Sequence, residues 1–172
     1  QLISLGRGLV REDVAAVLMD EPLTVIDPDL KFKLRRNLKE INEKYKTTLV
    51  YVTHDQNEAM TFADNIIVMS EGEVVQTGTP KELFERPKTT FVGYFIGSPA
   101  MNLFESETSS NHSIKINDTL IKTSTDLSKL KNNKVKLGIR SEFIKIAENQ
   151  KENVISVDVE KVEDLGNYKL LT

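Results

Sequence analysis

The 172-residue sequence contains no cysteine. That absence excludes a disulfide scaffold, a thiolate metal site and a cysteine nucleophile, and it fits a reducing compartment. Positive charge is not in excess either, since 23 Lys and Arg stand against 26 Asp and Glu for a formal net charge of -3. Without an overall basic field, nucleic acid and anionic lipid are poor partners. No apolar stretch approaches the roughly 20 residues of a membrane-spanning helix, and the N-terminus lacks the basic-then-apolar pattern of a secretory signal. Any association with a membrane is therefore expected to run through a partner. The sequence opens on Gln1 rather than an initiating Met, and Leu2, Ile3, Leu5, Leu9 and Val10 already have helical spacing. The chain is expected to begin inside an element, with residues upstream of it.

What is present is a globular composition, 39% hydrophobic and 28% charged, over a length that suits one domain or two small ones. Its chemistry gathers around Val17-Leu18-Met19-Asp20-Glu21-Pro22, a short apolar run that ends in two adjacent carboxylates. Such a run, closed by a turn signal, reads as a buried strand over Ala15 to Met19, and ligands of parallel sheets collect at the carboxyl ends of the strands. Side chains alternate across a strand, so Asp20 and Glu21 are expected to point different ways, one toward a metal and the other toward a water. Taken alone, the pair reads first as a solvated turn or a helix-capping carboxylate, because Asp and Glu are common at element ends.

Asp27-Pro28 is a helix start, with Asp accepting orphan backbone N–H groups and Pro at the first helical position. Leu30, Leu34, Leu38, Ile41 and Tyr45 then recur at intervals of three and four, the stripe of an amphipathic helix. Leu49-Val50-Tyr51-Val52 reads as the next strand. Thr53-His54-Asp55-Gln56 follows with the spacing of a capping box, which predicts Thr53 as N-cap and His54 as the first helical residue, again at a strand's carboxyl end. His54 also suits a partly exposed helix-start residue bonded to a neighbour. Ile66 to Met69, the Glu71-Gly72 turn and Val74-Val75 predict a hairpin, with short helices over Pro80 to Phe84 and Thr89 to Phe95.

At Ile96-Gly97-Ser98-Pro99 the character changes. Strands alternate with helices before it; after it come Asn, Ser, Thr and Lys with β-type runs at Ser113 to Ile116, Val135 to Ile139 and Val154 to Val159. The boundary predicts an α/β unit followed by a small β domain. The Lys and Asn residues from Asn111 to Lys136 have interspersed negatives and no aromatics, which makes them solvated loops rather than a nucleic-acid patch. One sheet thus presents Asp20, Glu21, Asp27 and His54 at neighbouring strand ends. Phosphoryl transfer to water uses such a set: an Asp to hold Mg²⁺, a Glu to orient or deprotonate water, and a polar donor to sense the γ-phosphate.

Four stretches, Leu18 to Asp27, Tyr51 to Ala59, Gly78-Thr79-Pro80-Lys81-Glu82-Leu83-Phe84 and Phe95 to Asn102, resemble the ATP-binding subunits of ABC transporters. More narrowly, they are similar to those of the carbohydrate-uptake importers for maltose, glycerol 3-phosphate and polyols. The resemblance implies that Asp20 is the Walker B ligand of Mg²⁺, Glu21 the catalytic glutamate, Asp27 the D-loop aspartate and His54 the switch histidine, with ATP as nucleotide. It implies an α/β fold: residues 1–97 as the C-terminal part of a P-loop ATPase domain, its mostly parallel sheet flanked by helices, and residues 98–172 as an OB-like regulatory β-barrel, expected to be incomplete. Val135 to Glu142 and Val162 to Gly166 carry the likeness into that second domain. The implied partners are transmembrane permease subunits, a second ATPase subunit and, indirectly, an extracytoplasmic solute-binding protein, at the cytoplasmic face of the plasma membrane.

The departures are equally specific. The 172 residues include no Walker A loop, no Q-loop and no Leu-Ser-Gly-Gly-Gln signature, so the chain alone is expected to be inactive. Ser141 and Phe143 stand where the subfamily commonly has Pro and His, and Thr24-Val25-Ile26 resembles the variant of glycerol-type importers. The alternative is a nonenzymatic truncated or degenerate subunit that acts as an interaction or regulatory module.

Overall fold

The computed structural model describes residues 14–24, 26–147, 152–166 and 168–172. The helical spacing read from Leu2 to Val10 lies outside them. The chain divides into two compact units, Gln1–Ala100 and Met101–Thr172.

In the first unit, β1 (Ala16–Asp20) runs parallel to β2 (Thr48–Val52), pairing Ala16 with Thr48 through to Asp20 with Val52. Parallel strands need a long crossover, and α1 (Pro28–Tyr45) supplies it. Asp27 caps α1 as its sequence requires, Oδ1 accepting from the N–H groups of Asp29 at 3.0 Å and Leu30 at 3.4 Å. Lys46 ends the helix in the left-handed conformation, its N–H bonded to the Asn42 carbonyl. Of the expected apolar stripe, Leu38 is buried, whereas Leu30 and Tyr45 are exposed.

After β2 come α2 (Gln56–Phe62) and a hairpin of β3 (Ile66–Ser70) and β4 (Glu73–Gly78). Its turn has positive φ at both central residues, 52° at Glu71 and 81° at Gly72, the twist that suits paired strands. Two short helices follow, α3 (Pro80–Glu85) and α4 (Thr90–Phe95). Thr79 and Glu82 close a capping box on α3, and Thr89 caps α4. Ile66, Val68, Leu83, Val92 and Ile96 form the core, with Ala59 and Met60 of α2 and its C-cap Ala63 packed against it. The helix that follows His54 therefore stands on the best-packed part of the unit.

The second unit is an antiparallel sheet in the order β7-β6-β5-β8, built from β5 (Asn102–Ser110), β6 (Ser113–Ile116), β7 (Thr119–Lys122) and β8 (Lys134–Ile139). Ile114 and Ile121 pair across β6 and β7, and with Ile116 they form a core covered by Phe104, Leu127, Val135, Leu137 and Ile155. The run Val154 to Val159, read as a strand from its composition, pairs with none of the strands of the described residues. Asn153 explains the difference: its side chain accepts from the N–H of Lys122 at 2.8 Å and donates to the Lys122 carbonyl at 3.1 Å. That clasp seats Ile155 on the core and leaves Val157 and Val159 exposed. A short hairpin of β9 (Val162–Asp164) and β10 (Lys169–Leu171) follows, extended by backbone bonds between Lys161 and Thr172.

Leu83 is fully buried, and Leu83→Ala is expected to cost about 2–5 kcal/mol of stability. Thr79→Ala, which opens the capping box, is expected to cost about 1 kcal/mol. Urea unfolding of the two variants beside the parent chain measures both.

Candidate functional site

The ends of β1 and β2 are level because of their register, with Asp20 opposite Val52. Glu21 extends the ladder by one further bond, its N–H donating to the Val52 carbonyl at 2.9 Å. There the backbone turns sharply: Glu21 has φ 43°, a left-handed conformation that non-glycine residues seldom adopt. Strain of this kind costs on the order of 1–3 kcal/mol and persists where surrounding contacts hold it. The direction of the Glu21 side chain thus follows from a kinked backbone rather than from strand alternation.

The kink brings Glu21 to His54, whose Nδ1 lies 2.6 Å from Glu21 Oε1. An ionised carboxylate only accepts, so the imidazole N–H donates. The Thr24 hydroxyl donates to the other oxygen, Oε2, at 3.0 Å. The His54 bond, and after it that of Thr24, holds the Glu21 carboxyl below its ordinary pKa. The same bond to Glu21, followed by the carboxylate charge, raises His54 above its ordinary value. Both side chains are substantially open to solvent, 41% for Glu21 and 71% for His54. The pair is therefore a responsive surface contact and not a buried structural one.

His54 does not begin the helix. Asp55 is the N-cap of α2, Oδ1 accepting from the N–H groups of Asn57 at 2.8 Å and Glu58 at 3.4 Å, and the expected Thr53–Gln56 box is absent. A carboxylate beside the positive end of the helix displaces a hydroxyl from that role. Thr53 instead accepts from the Asp55 N–H at 3.0 Å, which leaves His54 just outside the helix with its ring free to reach Glu21.

Asp20 is exposed, and among the described residues no hydrogen bond or ion pair holds its carboxylate. No group of three or more His, Asp or Glu among the described residues forms a ready-made metal cage. A single hard oxygen donor at a strand end suits Mg²⁺, which is commonly bound by one or two carboxylates with the remaining positions left to phosphate oxygens and water. Asp27 spends one oxygen on capping α1. Thr24 and Glu58 escaped the sequence reading; Thr24 lies three residues after Glu21, a spacing at which a turn returns a hydroxyl, and Glu58 sat on a helix face with no outward sign of burial.

Residues 97–144 match the family model described as the MalK OB fold domain. The chain is similar to the sn-glycerol-3-phosphate import ATP-binding protein UgpC of Psychromonas ingrahamii, 41% identical over 171 residues, covering 99% of this chain and 44% of that protein. The oligosaccharides import ATP-binding protein MsmX of Bacillus subtilis is 46% identical over 122 residues, 71% of this chain and 31% of its own length. UgpC of Brucella abortus is 51% identical over 106 residues, 62% of this chain and 30% of its own. The chain spans less than half the length of these curated relatives.

The pKa directions give a pH window. His54, raised above 6.5, contributes a favourable interaction that is complete below that pH and fades as pH rises through its folded value. Glu21, lowered from 4.5, contributes above that pH and loses the contribution as pH falls through its folded value. Between the two the pair is ionised on both sides. NMR titration is expected to place the His54 midpoint above 6.5 and to return it toward that value in Glu21→Gln.

Proposed function

We propose that this chain, which belongs to the family of ATP-binding subunits of carbohydrate-import ABC transporters, carries the hydrolytic residues of an ATPase that drives solute uptake. The observation that carries the reading is the 2.6 Å contact between Glu21 and His54, two residues brought from different strands to one sheet end. In this proposal Glu21, kept ionised by His54 and Thr24, accepts the proton of the attacking water or orients it. His54 keeps the carboxylate in place through Nδ1 and presents its Nε2 side to the γ-phosphate. Asp20 holds Mg²⁺, which when bound neutralises charge on the phosphate oxygens. Asp27, anchored at the start of α1, is the D-loop residue that couples the site to a second ATPase subunit.

Residues 1–97 are assigned to the C-terminal part of the ATPase domain and residues 98–172 to an OB-like regulatory domain. Permease subunits are the membrane partners, with an extracytoplasmic solute-binding protein acting through them. Among the described residues no helix is long and apolar enough to cross a membrane. A peripheral place at the cytoplasmic face of the membrane is consistent with such partners. A sugar, polyol or glycerol 3-phosphate is the proposed solute class, supported by the names of the relatives, which import sn-glycerol 3-phosphate and oligosaccharides.

A second reading is a nonenzymatic interaction or regulatory module; what separates the two is whether the reading frame upstream of Gln1 encodes a Gly-x-x-x-x-Gly-Lys-Ser/Thr loop. An intact upstream reading frame encoding that loop supports the enzyme; a stop codon in its place supports the module.

The direct test is calorimetric binding of Mg²⁺-ATP, with Glu21→Gln beside the parent to suppress turnover. The 172-residue chain is expected to bind no nucleotide, and a version extended upstream through the loop is expected to bind it. In the extended protein Glu21→Gln should keep binding and lose about 10²- to 10⁴-fold in hydrolysis rate. Hydrolysis at the parent rate would remove Glu21 from its proposed role.

A further inference from the structure

Beneath the exposed Glu21–His54 pair lies a buried carboxylate that the hydrolytic reading does not use. The Glu58 side chain, in the first turn of α2, is only 4% exposed. A buried carboxylate is costly unless its oxygens are engaged, and those of Glu58 are engaged in a divided way. Oε2 accepts from the Tyr51 hydroxyl of β2 at 2.9 Å and from the Thr53 hydroxyl at 3.0 Å. Oε1 makes no hydrogen bond but faces two cations of α1, Lys31 Nζ at 3.5 Å and Arg35 Nη1 at 3.7 Å. Burial, and then the bond to Glu58, raises the Tyr51 pKa and keeps its phenol a donor.

The Thr53 hydroxyl is engaged in both senses: it donates to Glu58 and accepts from the Asp55 N–H at 3.0 Å. His54 is therefore held on both flanks, at residue 53 by the buried carboxylate and at residue 55 by the same hydroxyl and by its cap on α2. Its own ring is open to solvent and touches the protein through Glu21. An exposed imidazole that meets a carboxylate 33 residues away at 2.6 Å loses less side-chain and backbone freedom in doing so when its backbone is already fixed.

We propose that Glu58 is the positioning residue of His54: acting through the Thr53 hydroxyl, its buried carboxylate fixes the turn from which the imidazole reaches Glu21. Because its other oxygen faces Lys31 and Arg35, the same carboxylate ties that turn to α1, the helix that Asp27 caps. A hydrolytic consequence rests on the reading of Glu21 and His54 given above; the positioning itself is testable without nucleotide.

The experiment is ¹⁵N NMR of the histidine-labelled 172-residue chain at alkaline pH, where the imidazoles are neutral, with His112→Gln to assign the two rings. A hydrogen bond from Nδ1 to a carboxylate selects the Nδ1–H tautomer, whereas a free imidazole prefers Nε2–H. His54 is expected as Nδ1–H in the parent and as Nε2–H in Glu21→Ala. Thr53→Val keeps the Glu58 charge and its contacts with Tyr51 and the two cations but removes the hydroxyl relay. It is expected to lose the Nδ1–H signature as completely as Glu21→Ala does, while Thr53→Ser retains it. Glu58→Ala is expected to lose it too, and Thr53→Val carries the test if that variant fails to fold. Retention in Thr53→Val, or a folded Glu58→Ala with a lowered unfolding midpoint and an unmoved tautomer, would overturn the proposal. An extended protein that fails to hydrolyse ATP while keeping the tautomer pattern would sink the hydrolytic reading and leave the positioning role standing.

Discussion

The site depends on the parallel register of β1 on β2. With Asp20 opposite Val52 and the Glu21 N–H bonded to the Val52 carbonyl, the two strands finish at the same level, and whatever follows each of them is forced into proximity. A slip of one residue would turn every side chain of β1 to the opposite face and carry the carboxylates away from His54. The crossover through α1 is what permits parallel pairing, so the capping of that helix by Asp27 belongs to the same constraint.

On that base the chain spends local strain and buried charge to aim two exposed groups. Glu21 sits in a left-handed conformation that its own side chain disfavours, and the Val52, His54 and Thr24 contacts hold it there. His54 is kept outside α2 because Asp55 takes the cap, and its flanks are braced by Thr53 against Glu58. Glu21 and His54 remain solvent-facing, while the Thr53 hydroxyl beside His54 is tied to the buried Glu58 carboxylate. That division suits a site that must admit a substrate from solvent and still keep its geometry.

The second unit follows a different logic. Its core is small, three isoleucines on β6 and β7 with partly buried neighbours, and side-chain clasps contribute to its stability. Asn153 pins the chain to the end of β7, and Asn102 donates both to the Ile139 carbonyl and to the Ser141 hydroxyl at the end of β8. Ser141 thus has a local role in closing that strand end.

Local rules made much of this chain legible from its residues. Asp27-Pro28 announced α1, Glu71-Gly72 the hairpin turn, and Thr79 with Glu82 the capped start of α3, because caps and tight turns are settled within a few residues of chain. The meeting of Glu21 and His54 at neighbouring strand ends was equally legible, from two apolar runs that each stop at polar residues. The run Val154 to Val159 was misleading because β propensity says nothing about whether a partner strand is within reach. Competition between Thr53 and Asp55 for the cap, the left-handed turn at Glu21 and the burial of Glu58 were decided only by tertiary structure. Each depends on where a strand or helix distant in sequence comes to rest: Val52 beside Glu21, and Lys31 and Arg35 beside Glu58. The residue types were set by the sequence alone; which of them meet, and at what angle, was set by strand register and by helix packing against the core.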